Sequence, residues 1–160
     1  MAALSVYSFL SGLGFLVSVY SVVIEHAKLE DDSYSPLCDI NERISCTAVL
    51  TSEYSYGFGI VELILNKDHF LNQPNSYYGV LFYPLQFIIG LYILESKGLL
   101  SLSALLNTGV SAVSLYLMYL LFFVINKVCL VCLVINSINF FLLIYSIAAL
   151  LRKKEKNKKE

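Results

Sequence analysis

Apolar positions are gathered into four long runs, broken by one long polar stretch and two short interruptions. The first run, residues 4–24, reads LSVYSFLSGLGFLVSVYSVVI and gives 21 uncharged positions, the length a helix needs to cross the roughly 30 Å hydrocarbon layer. It predicts an uncleaved transmembrane helix, because MAALSVYSF lacks a basic leader region and no small-x-small site closes the run. Residues 77–94 form the second predicted span, in which Pro84 is tolerable where neighbouring helices satisfy the freed backbone group. After a turn at 95–98, residues 99–125 form the third, with Asn107 and several serines suited to close interhelical packing. Asn126 and Lys127 separate it from the fourth, residues 128–151, which the basic tail 152–160 stops. The predicted fold is an all-α integral membrane protein, one domain built as a four-transmembrane-helix bundle.

Between the first two runs lies a loop, residues 25–76, too long for a default connection and therefore expected to fold against the bundle and carry function. Short helices are predicted around residues 39–50 and 58–65, with Gly57 and Gly59 loosening the approach to the second. Composition agrees with membrane insertion: 58% of the 160 residues are hydrophobic, 14% are charged, and mean hydropathy is +0.70. The formal charge of -1 conceals a segregation. The loop sets nine carboxylates against Lys28, Arg43 and Lys67, whereas the tail sets six basic residues against Glu155 and Glu160. By the positive-inside tendency, the tail and both termini are expected in the cytosol and the acidic loop across the membrane. This distribution offers nothing to a nucleic acid.

Four cysteines supply the candidate chemistry. Cys38 and Cys46 lie in the loop; Cys129 and Cys132 form a C-x-x-C at the head of the fourth run. The topology puts all four on one side of the membrane. Helical spacing puts Cys129 and Cys132 on a shared face that Asn136 and Asn139 continue. Thiol exchange needs an accessible thiolate and a second cysteine to resolve the mixed disulfide, and C-x-x-C supplies both. A zinc site would use two close pairs on polar segments. Here one pair is intramembrane and the other is widely spaced, while His26 and His69 show no ligand pattern. No metal or tightly bound cofactor is expected, and the resting disulfide pairing stays open.

The chain resembles the vitamin K epoxide reductase family in its animal-type single-domain form, through CDINERISC, GFGIVE at Gly57 to Glu62, LNQPNSYYG at Leu71 to Gly79, and the late C-x-x-C. The resemblance implies thiol-dependent reduction of vitamin K epoxide to the quinone and of the quinone to the hydroquinone in the endoplasmic reticulum membrane. It implies Cys129 and Cys132 as the redox pair, with Cys132 engaging substrate. Cys38 and Cys46 become the shuttle that receives electrons from a lumenal thioredoxin-like dithiol partner. It further implies Asn75 as a hydrogen-bond donor to a substrate oxygen, with Phe58, Phe82 and Tyr83 around the ring and Glu62 orienting the loop. Lys156 and Lys158 resemble a cytosolic K-x-K-x-x retrieval signal.

Two features depart from the family pattern. Where the family has Thr-Thr-Tyr after the C-x-x-C, this chain has Val134, Ile135 and Asn136, and Tyr54 replaces the usual Trp. Asn136 can donate a hydrogen bond but cannot stack, so it is a substrate candidate with a different reach, or a packing residue. Two competing readings follow: a quinone-coupled, disulfide-forming oxidoreductase with little epoxide activity, and a nonenzymatic scaffold held by disulfides.

Overall fold

The computed structural model describes residues 2–92 and 97–159; positions 93–96, holding the end of the expected second span and the start of the expected turn, lie outside the described residues. In chain order the described helices are α1 (Ala2–Glu30), α2 (Cys46–Leu50), α3 (Val61–Ile64), α4 (Asn75–Tyr92), α5 (Lys97–Tyr119) and α6 (Leu130–Lys159). A wider π-helical turn, Leu120–Val124, continues α5. Among the described residues there is no β-strand, only two isolated bridges. Helices α1, α5 and α6 are long and apolar enough to cross a membrane.

Two helices overrun the apolar runs that predict them. α1 continues through Glu25 to Glu30, with Lys28 in its last turn where a cation suits the helix dipole. α6 carries the basic tail as helix to Lys159, because Lys, Arg and Glu are good helix formers and no Gly or Pro intervenes. The basic tail is therefore continuous with α6. Both predicted short loop helices form, but contract to single turns at α2 and α3.

α1 lies along α4 and α6, and α5 along α6, while α4 and α5 share a smaller contact among the described residues. The α1–α4 approach is close because Gly14, Gly79 and Gly90 face it. A Cβ at Gly14 would fall on the Tyr83 ring, and one at Gly79 on the Ser18 hydroxyl. Farther along, a buried polar knot joins all four long helices. The Tyr7 hydroxyl donates to Gln86 Oε1 at 2.5 Å and pairs with Ser103 Oγ at 2.8 Å. Asn107 Nδ2 reaches Tyr7 Oη at 3.1 Å and Ser146 Oγ at 2.8 Å, the interhelical role expected of it.

Candidate redox site at the loop end of the bundle

The loop folds back onto the helices through backbone pairing. Ile44 forms a parallel bridge with Val128, with Ser45 N–H donating to Val128 O at 3.0 Å and Val128 N–H to Arg43 O at 2.8 Å. Asn126 makes this possible: its φ of 53° ends the α5 extension in the left-handed region, which asparagine tolerates better than most residues. Lys127 Nζ also donates to the Glu42 carbonyl. The segment carrying Cys46 is thereby docked against the segment carrying Cys129.

Both cysteine pairs are disulfides. Cys38 bonds Cys46, with Cα atoms 5.7 Å apart, and Cys129 bonds Cys132, at 5.2 Å. Cys38, Cys46 and Cys129 belong to one buried apolar cluster with Ile24, Leu50 and Leu121, and Cys132 packs against it. Cys129 immediately precedes the first residue of α6, and its Sγ accepts the Cys132 N–H at 3.1 Å, so one sulfur caps the helix end from which the other projects. Asp39 Oδ1 accepts the Thr47 N–H at 3.0 Å. Burial opposes its charge, but hydrogen bonds from Thr47, Ser45 and Cys46 prevail and hold the carboxyl below its ordinary range. Cys38, Asp39 and Cys46 cluster closely enough to suggest a cation site, yet both sulfurs are spent in the disulfide.

Below the loop is a cavity of about 680 Å³, walled by α1, α4, α5 and α6 and roofed by residues 49–58. Cys132, Asn75, Phe58, Phe82, Tyr83 and Asn136 all line it. Cys129, Cys38 and Cys46 are not in its wall, and Glu62 is exposed on α3. The two histidines stay outside: exposed His26 pairs through Nε2 with Tyr77 Oη at 2.6 Å, and His69 Nδ1 accepts the Leu71 N–H at 3.2 Å.

Asn75 does a job that its sequence position does not disclose. Its Oδ1 accepts the Phe58 N–H at 2.8 Å, and its Nδ2 donates to Tyr54 O at 3.0 Å. The roof needs this bracket, since Gly57, Phe58 and Gly59 have φ of 51°, 60° and 68°, an unfavourable conformation for Phe58. Tyr54 packs on Gly59, where a Cβ would meet its ring at 2.9 Å. Tyr78 supports the Phe58 ring from below, centroids 4.9 Å apart.

Deeper in the cavity, Tyr83 donates to Asn139 Oδ1 at 2.8 Å, and Asn139 Nδ2 donates to Ser114 Oγ at 2.8 Å. Asn136 Nδ2 donates to its own helix at Cys132 O, 2.8 Å away. Of the four residues expected on one helical face, Cys132, Asn136 and Asn139 border the cavity, whereas Cys129 precedes α6 and does not. Ser76, Ser114 and Glu25 join the site although no sequence pattern assigns them a role. Ser76 Oγ, in the cavity wall, donates to the buried Glu25 carboxyl at 2.6 Å. The available signal was Glu25 itself, the first charge after a 21-residue apolar run.

A family model described as "Vitamin K epoxide reductase family" matches residues 5–147. The chain is 43% identical over 77 residues to "Vitamin K epoxide reductase complex subunit 1" of Mus musculus, covering 48% of each chain. It is 39% identical over 105 residues to the protein of the same name from Rattus norvegicus, covering 65% of this chain and 63% of the relative. The matched segments thus span between about half and just under two thirds of those relatives. With the family match extending over both cysteine pairs, the roof and four long helices, the chain belongs to the vitamin K epoxide reductase family.

Proposed function

We propose that the protein is a membrane oxidoreductase that reduces vitamin K 2,3-epoxide to the quinone and the quinone to the hydroquinone at the expense of protein dithiols. The observation that carries this reading is the Cys129–Cys132 disulfide whose Cys132 lines an apolar cavity large enough for a fused-ring quinone, a ligand pocket normally being about 300–1,000 Å³. Phe58 and Phe82 offer ring contacts, and the weak α4–α5 seam offers an isoprenoid tail a way toward lipid. Each step converts one dithiol to a disulfide. The epoxide loses its oxygen as water, and the quinone gains two O–H bonds.

In this reading Cys38 and Cys46 accept electrons from a lumenal thioredoxin-like dithiol and pass them to Cys129 and Cys132 by exchange. The docking of residues 43–45 against Val128 and the shared apolar cluster support that relay. Four spans, including α4, put both termini in the cytosol and the loop in the endoplasmic reticulum lumen; the loop's acidity and the tail's basic charge support this orientation. A second reading is favoured by Asn136. One of its amide N–H groups is taken by the Cys132 carbonyl, and this position lacks the tyrosine hydroxyl implied by the family resemblance, which weakens epoxide relative to quinone chemistry.

The test uses purified full-length protein in detergent with dithiothreitol, assayed separately on vitamin K epoxide and vitamin K quinone beside Cys132→Ala. Turnover of both substrates, abolished by the substitution, is expected. Folded protein that reduces neither refutes the proposal, and quinone-only turnover selects the second reading.

A further inference from the structure

Glu25 is an unusual buried group. It follows the apolar run of α1, is 3% exposed, and makes its hydrogen bond through Oε2 to Ser76 Oγ at 2.6 Å. Its other oxygen, Oε1, is buried without a hydrogen-bond partner among the described residues. Near it stands the phenol of Tyr56, close enough to feel its charge. Lys28 on the same helix is engaged with the Asp32 carbonyl instead. Burying an unpaired carboxylate is costly, so this surrounding favours the neutral acid, which can give up a proton.

Ser76 connects that proton to the cavity. Its residue lines the wall near Asn75 and Ser21, while its hydroxyl touches Glu25. We infer that Glu25 is the proton reservoir for substrate reduction, acting through Ser76 as a relay. This rests on the proposed quinone chemistry. In that chemistry two S–H bonds are lost, one S–S bond forms, and the two quinone oxygens each gain a hydrogen. The reacting sulfur is a thiolate, so its proton has left before the electron pair reaches the ring. At rest the Ser76 hydroxyl donates to Oε2; when it turns to the developing oxyanion and passes its proton there, its freed lone pair takes the proton of Glu25. The reacting thiol's proton goes to water as the thiolate forms and one proton from water refills the carboxyl, while the second oxygen takes the other thiol's proton, so two protons leave the thiols and two reach the quinone.

Glutamine is the discriminating substitution, because Glu25→Gln keeps an acceptor for Ser76 and removes only the proton. Full-length Glu25→Gln, Glu25→Asp, Ser76→Ala and the double variant Glu25→Gln with Ser76→Ala are assayed on vitamin K quinone with dithiothreitol. The expected result is about a hundredfold loss of kcat in Glu25→Gln with KM within twofold. The aspartate variant recovers part of that loss, and the double variant falls no further than the worse single one. In parallel, infrared spectra of the oxidised protein without substrate show a neutral-carboxyl band that Glu25→Gln deletes. Unchanged kcat in Glu25→Gln, or absence of that band, overturns the inference. Quinone inactivity of the unsubstituted protein sinks the proposed function instead, and the band then decides by itself whether Glu25 holds a proton.

Discussion

Replacing Asn75 with alanine separates two roles that this side chain is offered: contact with substrate, and support of the cavity roof. The substitution removes the acceptor for Phe58 N–H and the donor to Tyr54 O. Two hydrogen bonds at a net value of about 1 kcal/mol each amount to about 2 kcal/mol. That loss falls on a segment already in the left-handed region at Gly57, Phe58 and Gly59, so it favours local opening of the roof by roughly thirtyfold, each 1.4 kcal/mol being tenfold. Hydrogen exchange followed by mass spectrometry reads this directly. Exchange of the Gly57, Gly59 and Ile60 amides, which donate to Gln73, Tyr56 and Gly57 carbonyls, accelerates about thirtyfold, while amides within α1, α5 and α6 keep their protection. Asn75→Asp retains an acceptor for Phe58 and gives a smaller acceleration. Unaltered exchange in the roof would refute the bracket, and a loss of turnover with a fully protected roof would point to substrate contact alone.

Two other perturbations test the cavity. Gly14→Val drives a side chain into the buried Tyr83 ring, costing about 1–3 kcal/mol of overpacking, and lowers the Tm in detergent by several degrees; an unchanged Tm would mean that α1 and α4 separate freely. Asn136→Tyr supplies a hydroxyl at the position where the family resemblance implies one. It raises epoxide turnover relative to quinone turnover by about tenfold, the scale of one good hydrogen bond, and an unchanged ratio in folded protein would show that this position does not govern substrate choice.

Much of the fold was written in the order of apolar and polar residues. Runs of about 20 uncharged positions can satisfy their backbone in lipid only as helices, which is why α1, α5 and α6 appear where the pattern puts them. The ends were less legible: the pattern stops α1 at residue 24 and α6 at residue 151, but charged residues continue a helix as readily as apolar ones, and both run on. Likewise, the four- and three-residue steps from Cys132 to Asn136 and Asn139 were enough to align these three on one wall, because i, i+3 and i+4 geometry is local.

Contacts between distant segments were not legible. Nothing in the spacing of Cys46 and Cys129, 83 residues apart, announces that a bridge between Ile44 and Val128 brings their segments together. Nor does the NQPNS sequence reveal that Asn75 holds Phe58 and Tyr54, or that Glu25 and Ser76, 51 residues apart, meet beside the cavity. The sequence by itself determined the helices, the membrane as solvent and the residue types available for redox chemistry, since each follows from periodicity and transfer energy along a short stretch of chain. Tertiary structure alone decided which sulfurs share a core, which amide roofs the cavity and which carboxyl is stripped of water, because pairing and burial depend on what the rest of the fold puts opposite each side chain.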